Sequence, residues 1–98
     1  MTIELKKFGT TLISRQAGRE AFAAFQPTLR NIKEDEILDI DVDGVLTFSP
    51  SWGDEFLTPL GKTYGNRVQL RHIKNPSVRA TLELLQKTTG IVFRTIDD

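Results

Sequence analysis

The stretch ILDIDVDGVLTFSPSWGDEFLTPLGKTY, residues 37–64, decides the fold of this chain because the spacing of its apolar residues changes within it. Up to Gly44 the apolar residues are closely spaced and largely β-branched, which is typical of a buried strand. Beyond Ser51 they recur at helical spacing, at Trp52, Phe56, Leu57, Leu60 and Tyr64. The stretch therefore predicts a strand, a loop at Ser49-Pro50-Ser51 and a helix. Binding and catalytic residues concentrate on loops that a rigid scaffold holds, so this loop is the first candidate for a functional site.

The composition restricts the class of protein. The chain has 98 residues, which suits a single domain over 1–98. Its 13 basic residues balance 13 acidic ones, so we expect no nucleic-acid partner and no binding to an anionic membrane. The sequence has no cysteine, which excludes disulfides, thiolate chemistry and cysteine-type zinc sites. It has no apolar run of signal or membrane length, so we expect a soluble, unprocessed, cytoplasmic protein.

The segments before the central strand predict a β-hairpin followed by a helix. Residues 2–8 and 10–13 are β-prone and are separated by Gly9, which permits a turn. Ser14 is a favourable N-cap, and the alanines and phenylalanines after it form an apolar helical stripe that ends near Pro27.

The segments after the central helix predict a strand, a third helix and a last strand. Residues 68–73 alternate between apolar and polar side chains. Asn75-Pro76 then begins a helix, which ends at Gly90, and residues 91–96 form a short strand. The alternation of strands and helices predicts an α/β fold with a mixed four- to five-stranded sheet, about three helices covering it, and the segment from Ile37 as a central strand.

Three aspartates at alternate positions resemble the beginning of a calcium-binding EF-hand loop. They are Asp39, Asp41 and Asp43, followed by Gly44. The twelfth position of such a loop requires a glutamate, and here it is Pro50. We therefore interpret the aspartates as the polar edge of a strand with a turn signal, and we expect no metal site.

The segment Asp41-Val42-Asp43-Gly44-Val45-Leu46-Thr47 resembles the first motif of haloacid-dehalogenase-type phosphatases. The resemblance implies Asp41 as nucleophile and Asp43 as acid/base, with magnesium offsetting the charge between carboxylate and phosphoryl group. That family also needs an acidic pair after the next strand, and beyond that strand the only such pair is Asp97-Asp98. A magnesium-dependent phosphatase is the alternative function.

A second resemblance extends over nearly the whole chain. The segments that carry it are GVLTFSPS (44–51), GNRVQL (65–70), NPSV (75–78) and the leucines and glycine that follow. They are similar to the strand, loop and helix starts of STAS domains. Ser14-Arg15 before the first helix and Ser51-Trp52-Gly53-Asp54-Glu55 at the second resemble a bacterial STAS-like family of unknown function, which is related to the anti-sigma-factor antagonists.

The STAS resemblance implies a non-enzymatic regulatory domain, with no catalytic residue and no cofactor. Its implied partner is a protein, either a serine kinase of the histidine-kinase ATPase fold or an anti-sigma factor. Ser51 falls on the phosphoacceptor position, and the implied partner-binding residues are Ser49, Ser51, Trp52, Asp54 and Glu55. From the residues alone, Ser51 is also a candidate N-cap with Asp54 three residues on, and Trp52 is equally a candidate core residue.

Overall fold

The structure is a computed structural model that describes residues 1–96. Within these residues, three α-helices accompany a four-stranded sheet and a separate two-stranded sheet. The elements follow in the order β1 (Thr2–Glu4), β2 (Thr11–Leu12), α1 (Arg15–Leu29), β3 (Leu38–Asp41), β4 (Thr47–Phe48), α2 (Pro50–Tyr64), β5 (Val68–Arg71), α3 (Pro76–Thr89) and β6 (Arg94–Ile96). Short 3-10 helices occupy Leu5–Phe8 and Gly65–Arg67. The α/β class, the four-stranded sheet and the three helices are confirmed.

The strand order of the large sheet is β1-β3-β5-β6, and every pairing in it is parallel rather than mixed. The segment from Ile37 supplies β3, which lies between β1 and β5, so its central position is confirmed. The last strand is shorter than predicted and begins at Arg94.

The predicted N-terminal hairpin is wrong. After β1 the chain forms the 3-10 helix, and the Phe8 ring lies 5.3 Å from the Phe56 ring and 6.1 Å from the Trp52 ring, centroid to centroid. This aromatic contact with α2 carries the chain away from β1. As a result β2 pairs in parallel with β4, in a register that places Thr11 opposite Thr47.

The predicted signals at Ser14, Asn75 and Gly90 are confirmed. Ser14 caps α1 by accepting a hydrogen bond from the Ala17 amide, and Asn75 caps α3 by accepting one from the Ser77 amide. Gly90 ends α3 with a φ of 76°, a left-handed conformation that glycine adopts readily. None of the helices formed by residues 1–96 is long and apolar enough to cross a membrane.

The helices form one layer on one face of the large sheet. Each successive crossover advances in the same direction along the strand order, and right-handed crossovers then place all three helices on the same side. Burial alternates accordingly in β3 and β5. In β1, β3 and β5 the residues that face the helices are Ile3, Leu38, Ile40, Val68 and Leu70, all buried.

The other face of the sheet, which we call the open face, is polar. By strand alternation it consists of Thr2, Glu4, Asp39, Asp41, Gln69, Arg71, Arg94 and Ile96. No helix formed by residues 1–96 covers it. The core therefore lies between the sheet and the helices, where Trp52 and Phe56 stack with ring centroids 5.0 Å apart.

Candidate functional site

The start of α2 is fixed by Ser49 rather than by Ser51. The Ser49 Oγ accepts a hydrogen bond from the Trp52 amide at 3.2 Å and donates one to the Ile13 carbonyl at 2.6 Å. Proline is favoured at the first helical position, so Pro50 places the N-cap one residue before it. The predicted cap at Ser51 is wrong for this reason. Ser49 also ties the beginning of α2 to the beginning of α1.

Ser51 lies in the first turn of α2 with its side chain partly exposed. Among residues 1–96 its hydroxyl makes no hydrogen bond, so it is not engaged in holding the helix. It lines an open groove of about 330 Å³ between the first turns of α2 and the second half of α3. The residues around this groove are Arg15, Pro50, Ser51, Asp54, Leu84, Leu85, Thr88 and Thr89.

Arg15 joins α1 to α2 beside this groove. Its Nη1 donates hydrogen bonds to Asp54 Oδ2 and to Glu55 Oε1, both at 3.0 Å. Arg19 lies 3.5 Å from the same Glu55 oxygen, and the Thr58 hydroxyl donates to Asp54 Oδ1 at 2.9 Å. We call the residues Arg15, Arg19, Asp54, Glu55 and Thr58 the α1–α2 network.

The network changes the acidity of its members. The Arg15 guanidinium, followed by the Thr58 hydroxyl, lowers the pKa of Asp54, against a smaller opposing effect of burial. In return, hydrogen bonds to Asp54 and then Glu55 raise the pKa of Arg15. At neutral pH the site therefore presents paired opposite charges next to the Ser51 hydroxyl, which makes no hydrogen bond among residues 1–96.

Trp52 does not belong to this surface. Its side chain is only 1% exposed and packs against Phe48 and Phe56. A partner cannot reach it while the core is intact, so its assignment as a partner-binding residue is corrected to a core residue. Helical spacing explains this, because Trp52 and Phe56 lie one turn apart on the face of α2 that meets the sheet.

The residues of the alternative phosphatase motif lie elsewhere, at the carboxyl end of the large sheet. Asp41 ends β3, and its Oδ1 accepts a hydrogen bond from the Asp43 amide at 3.0 Å and lies 2.7 Å from His72 Nδ1. Burial raises the pKa of Asp41, but the Asp43 amide and His72 together lower it more, so the pKa is below its ordinary value. His72 has a φ of 61°, a left-handed conformation that is uncommon outside glycine.

The structure thus separates the predicted residues into two places. Ser49, Ser51, Asp54 and Glu55 lie together at the start of α2, whereas Asp41 and Asp43 lie at the end of β3. Within residues 1–96 no group of three or more histidine, aspartate or glutamate side chains could hold a metal ion. The acidic pair Asp97-Asp98 lies outside the described residues.

Arg15 is the site residue that the sequence prediction did not assign. It is 39 residues from Asp54 in the chain, so no local pattern connects the two. The available signal was the STAS-like resemblance, which includes both Ser14-Arg15 and Asp54-Glu55. Leu84, which is 43% exposed on the groove wall, had no signal that distinguished it from other leucines of α3.

No protein family, no curated protein and no solved structure was found to match this chain.

Proposed function

We propose that this chain is a non-enzymatic, cytoplasmic, STAS-like regulatory domain that binds a protein partner through the start of α2. The recognition surface consists of Ser49, Ser51, Asp54 and Glu55, extended by Arg15 and by Leu84 across the groove. In this proposal the partner is a serine kinase of the histidine-kinase ATPase fold or an anti-sigma factor, and phosphorylation of Ser51 releases it.

One observation carries the proposal. Ser51 is partly exposed on a groove wall, and its hydroxyl is engaged in no hydrogen bond among residues 1–96. A serine whose hydroxyl served as a helix cap would have to give up that hydrogen bond on phosphorylation, at a cost to the fold. Because Ser49 provides the cap, the structural role and the proposed switching role belong to different residues.

The effect of a phosphate at Ser51 follows from its surroundings. A phosphoserine carries a charge of about −1.5 to −2 near neutral pH. The first turn of α2 favours such a charge through the helix dipole, so the fold tolerates the modification. The added charge and bulk would nevertheless enter the groove beside Asp54, which changes the surface that a partner would contact.

The proposal predicts that binding and folding respond differently to substitutions of Ser51. Ser51→Asp should weaken binding of the partner about tenfold or more, while the thermal midpoint stays close to that of the wild type. Ser51→Ala should bind like the unphosphorylated wild type and accept no phosphate. Calorimetry and phosphate-incorporation assays against an ATPase-fold kinase or anti-sigma factor encoded beside this chain would measure both.

Thr63→Asp provides the matched control, since it makes the same kind of change on the exposed C-terminal half of α2. It should leave binding unchanged. Equal binding by the wild type and Ser51→Asp would contradict the proposal, and so would a phosphate incorporated at another serine.

The phosphatase alternative is supported by the position of Asp41 at the carboxyl end of a central parallel strand, where α/β proteins bind ligands. This alternative predicts that the chain hydrolyses a phosphate ester in the presence of magnesium, and that Asp41→Asn abolishes the hydrolysis. We favour the interaction role because Asp41 Oδ1, on the proposed nucleophilic carboxylate, is already in contact with both the Asp43 amide and His72.

A further inference from the structure

The open face is unusual because it belongs to a parallel sheet. Parallel sheets occur almost only where both faces are covered, and here the helices cover one. Its charged residues are also sorted by strand. Glu4, Asp39 and Asp41 lie on β1 and β3, whereas Arg71 and Arg94 lie on β5 and β6. One half of the face is therefore acidic and the other half basic.

Two of these charges are not compensated within residues 1–96. Arg71 Nε lies 3.0 and 2.8 Å from the two carboxylate oxygens of Asp39, and Asp41 is in contact with His72. Glu4 and Arg94 make no ion pair with any described residue. They belong to the two edge strands, which are three strand spacings or about 14 Å apart, so they cannot reach each other in one molecule.

We propose that the open face docks onto the open face of a second copy of this chain. The two copies are related by a two-fold axis parallel to the strands, so β1 of one copy lies over β6 of the other and β3 lies over β5. Each acidic half then meets a basic half, and Arg94 of each copy approaches Glu4 of the other. Such an interface is isologous, so the ion pair forms twice.

The register supports this arrangement. Thr2, Asp39, Gln69 and Arg94 form one row across the sheet, and Glu4, Asp41, Arg71 and Ile96 form the next. A two-fold axis along the strands keeps each row opposite itself. Gln69 therefore lies opposite Asp39 of the second copy, and Arg94 is one row from Glu4, within the reach of an arginine side chain.

The size of the face predicts a weak dimer. The strands have 3 or 4 residues each, so the face is small, and the area buried per copy falls below the roughly 800 Å² of a standard interface. Exposed ion pairs are weakened by salt, so association should decrease as ionic strength rises. The recognition surface around Ser51 is built from the helix layer, so this dimer is independent of the proposed regulatory function.

Analytical ultracentrifugation over a concentration series tests the proposal. The wild type should shift at low salt from one chain, 11.1 kDa, towards twice that mass. Arg94→Glu and Glu4→Arg should each weaken self-association by about tenfold or more, because each places like charges opposite each other. An equimolar mixture of the two variants should associate again, because in the mixed dimer both contacts join opposite charges.

Lys87→Glu, a charge reversal on the exposed surface of α3, should leave self-association unchanged. Thermal melts check that each variant is folded, and the milder pair Arg94→Gln and Glu4→Gln replaces the reversals if one of them unfolds. Each milder variant should weaken self-association, and an equimolar mixture should recover part of it, because the mixed dimer retains one of the two ion pairs. A wild type that stays monomeric at millimolar concentration in low salt overturns the proposal, as does a mixture of folded charge reversals that fails to associate.

Discussion

Ser49 and Ser51 are two residues apart in the chain and differ in what their hydroxyls do. The Ser49 hydroxyl accepts a hydrogen bond from the Trp52 amide and donates one to the Ile13 carbonyl, so it holds the starts of two helices together. The Ser51 hydroxyl makes no hydrogen bond among residues 1–96. A sequence reading alone favours the second serine as the cap because Asp54 follows it three residues later, but Pro50 moves the helix start to the first.

The difference predicts that the same substitution, Ser→Ala, changes the free energy of unfolding by unequal amounts at the two positions. Ser49→Ala should lower the free energy of unfolding by about 1 kcal/mol or somewhat more, since it removes a cap and leaves the Ile13 carbonyl without its donor. Ser51→Ala should change it by less than about 0.5 kcal/mol, as is usual for a surface substitution. Urea unfolding monitored by Trp52 fluorescence measures both. Equal losses in the two variants would mean that Ser51 also caps the helix.

At the scale of elements, the proposed recognition surface depends on how closely α1 approaches α2. A β-carbon added at Gly18 would lie 2.7 Å from the carbonyl oxygen of Trp52 and 3.0 Å from its Cα, both backbone atoms. Only glycine allows this approach, which brings Arg15 within reach of Asp54 and Glu55. The close helix contact and the α1–α2 network are therefore parts of one arrangement.

This contact predicts a difference between two Gly→Ala substitutions. Gly18→Ala should destabilise the chain, because a clash with backbone costs roughly 1–3 kcal/mol and exceeds the gain of about 1 kcal/mol in helix propensity. A β-carbon at Gly53 would meet side-chain atoms only, at 3.1 to 3.3 Å, so its neighbours need to move by only a few tenths of an ångström and Gly53→Ala should be the less destabilising variant. Chemical denaturation measures both variants. If Gly53→Ala were the more destabilising, the α1–α2 contact would not be the tighter one.

The element boundaries show which parts of the fold a sequence can predict. Ser14, Asn75-Pro76 and Gly90 were assigned correctly because each acts on backbone groups within a few residues of itself. The N-terminal hairpin was wrong because the path after β1 depends on Phe8 contacting Phe56, a residue far along the chain. Most residues of the candidate site were predicted from the local segment 49–55. The place of Arg15 beside them depends on the packing of α1 against α2.

At the scale of the whole molecule, the chain has two functional candidates on opposite sides of one sheet. The helix layer carries the proposed recognition surface, and the open face carries the charges that are sorted by strand. The alternation in β3 and β5 predicts that one side of each strand is buried. The alternation does not predict that all three helices lie on that same side of the sheet. Their placement follows from the strand order β1-β3-β5-β6.

Acid stability depends on carboxylates that join distant parts of the chain. The Arg15 hydrogen bond lowers the pKa of Asp54 and links α2 to α1. The pKa of Asp41 is also below its ordinary value, and this carboxylate links the end of β3 to His72, which follows β5. A carboxylate with a lower pKa in the folded chain than in the unfolded chain stabilises the fold at a pH above its unfolded pKa. That contribution is lost as the pH falls through the folded pKa.

We therefore expect the free energy of unfolding to decrease as the pH falls from about 5 towards about 2. Asp54→Asn should be less stable than the wild type near neutral pH, by no more than about 1 kcal/mol because the pair is half exposed. The difference in free energy of unfolding between the two proteins should disappear at low pH, since the Asp54 side chain of the wild type is then protonated and uncharged, as the asparagine is. Glu83→Gln, which removes an exposed carboxylate with no ion pair among residues 1–96, is the matched control for the loss of a carboxylate as such. Urea titrations across this pH range measure all three proteins. If the difference in free energy of unfolding between Asp54→Asn and the wild type stayed constant across this pH range, Arg15 would contribute nothing to the stability of the α1–α2 contact through Asp54.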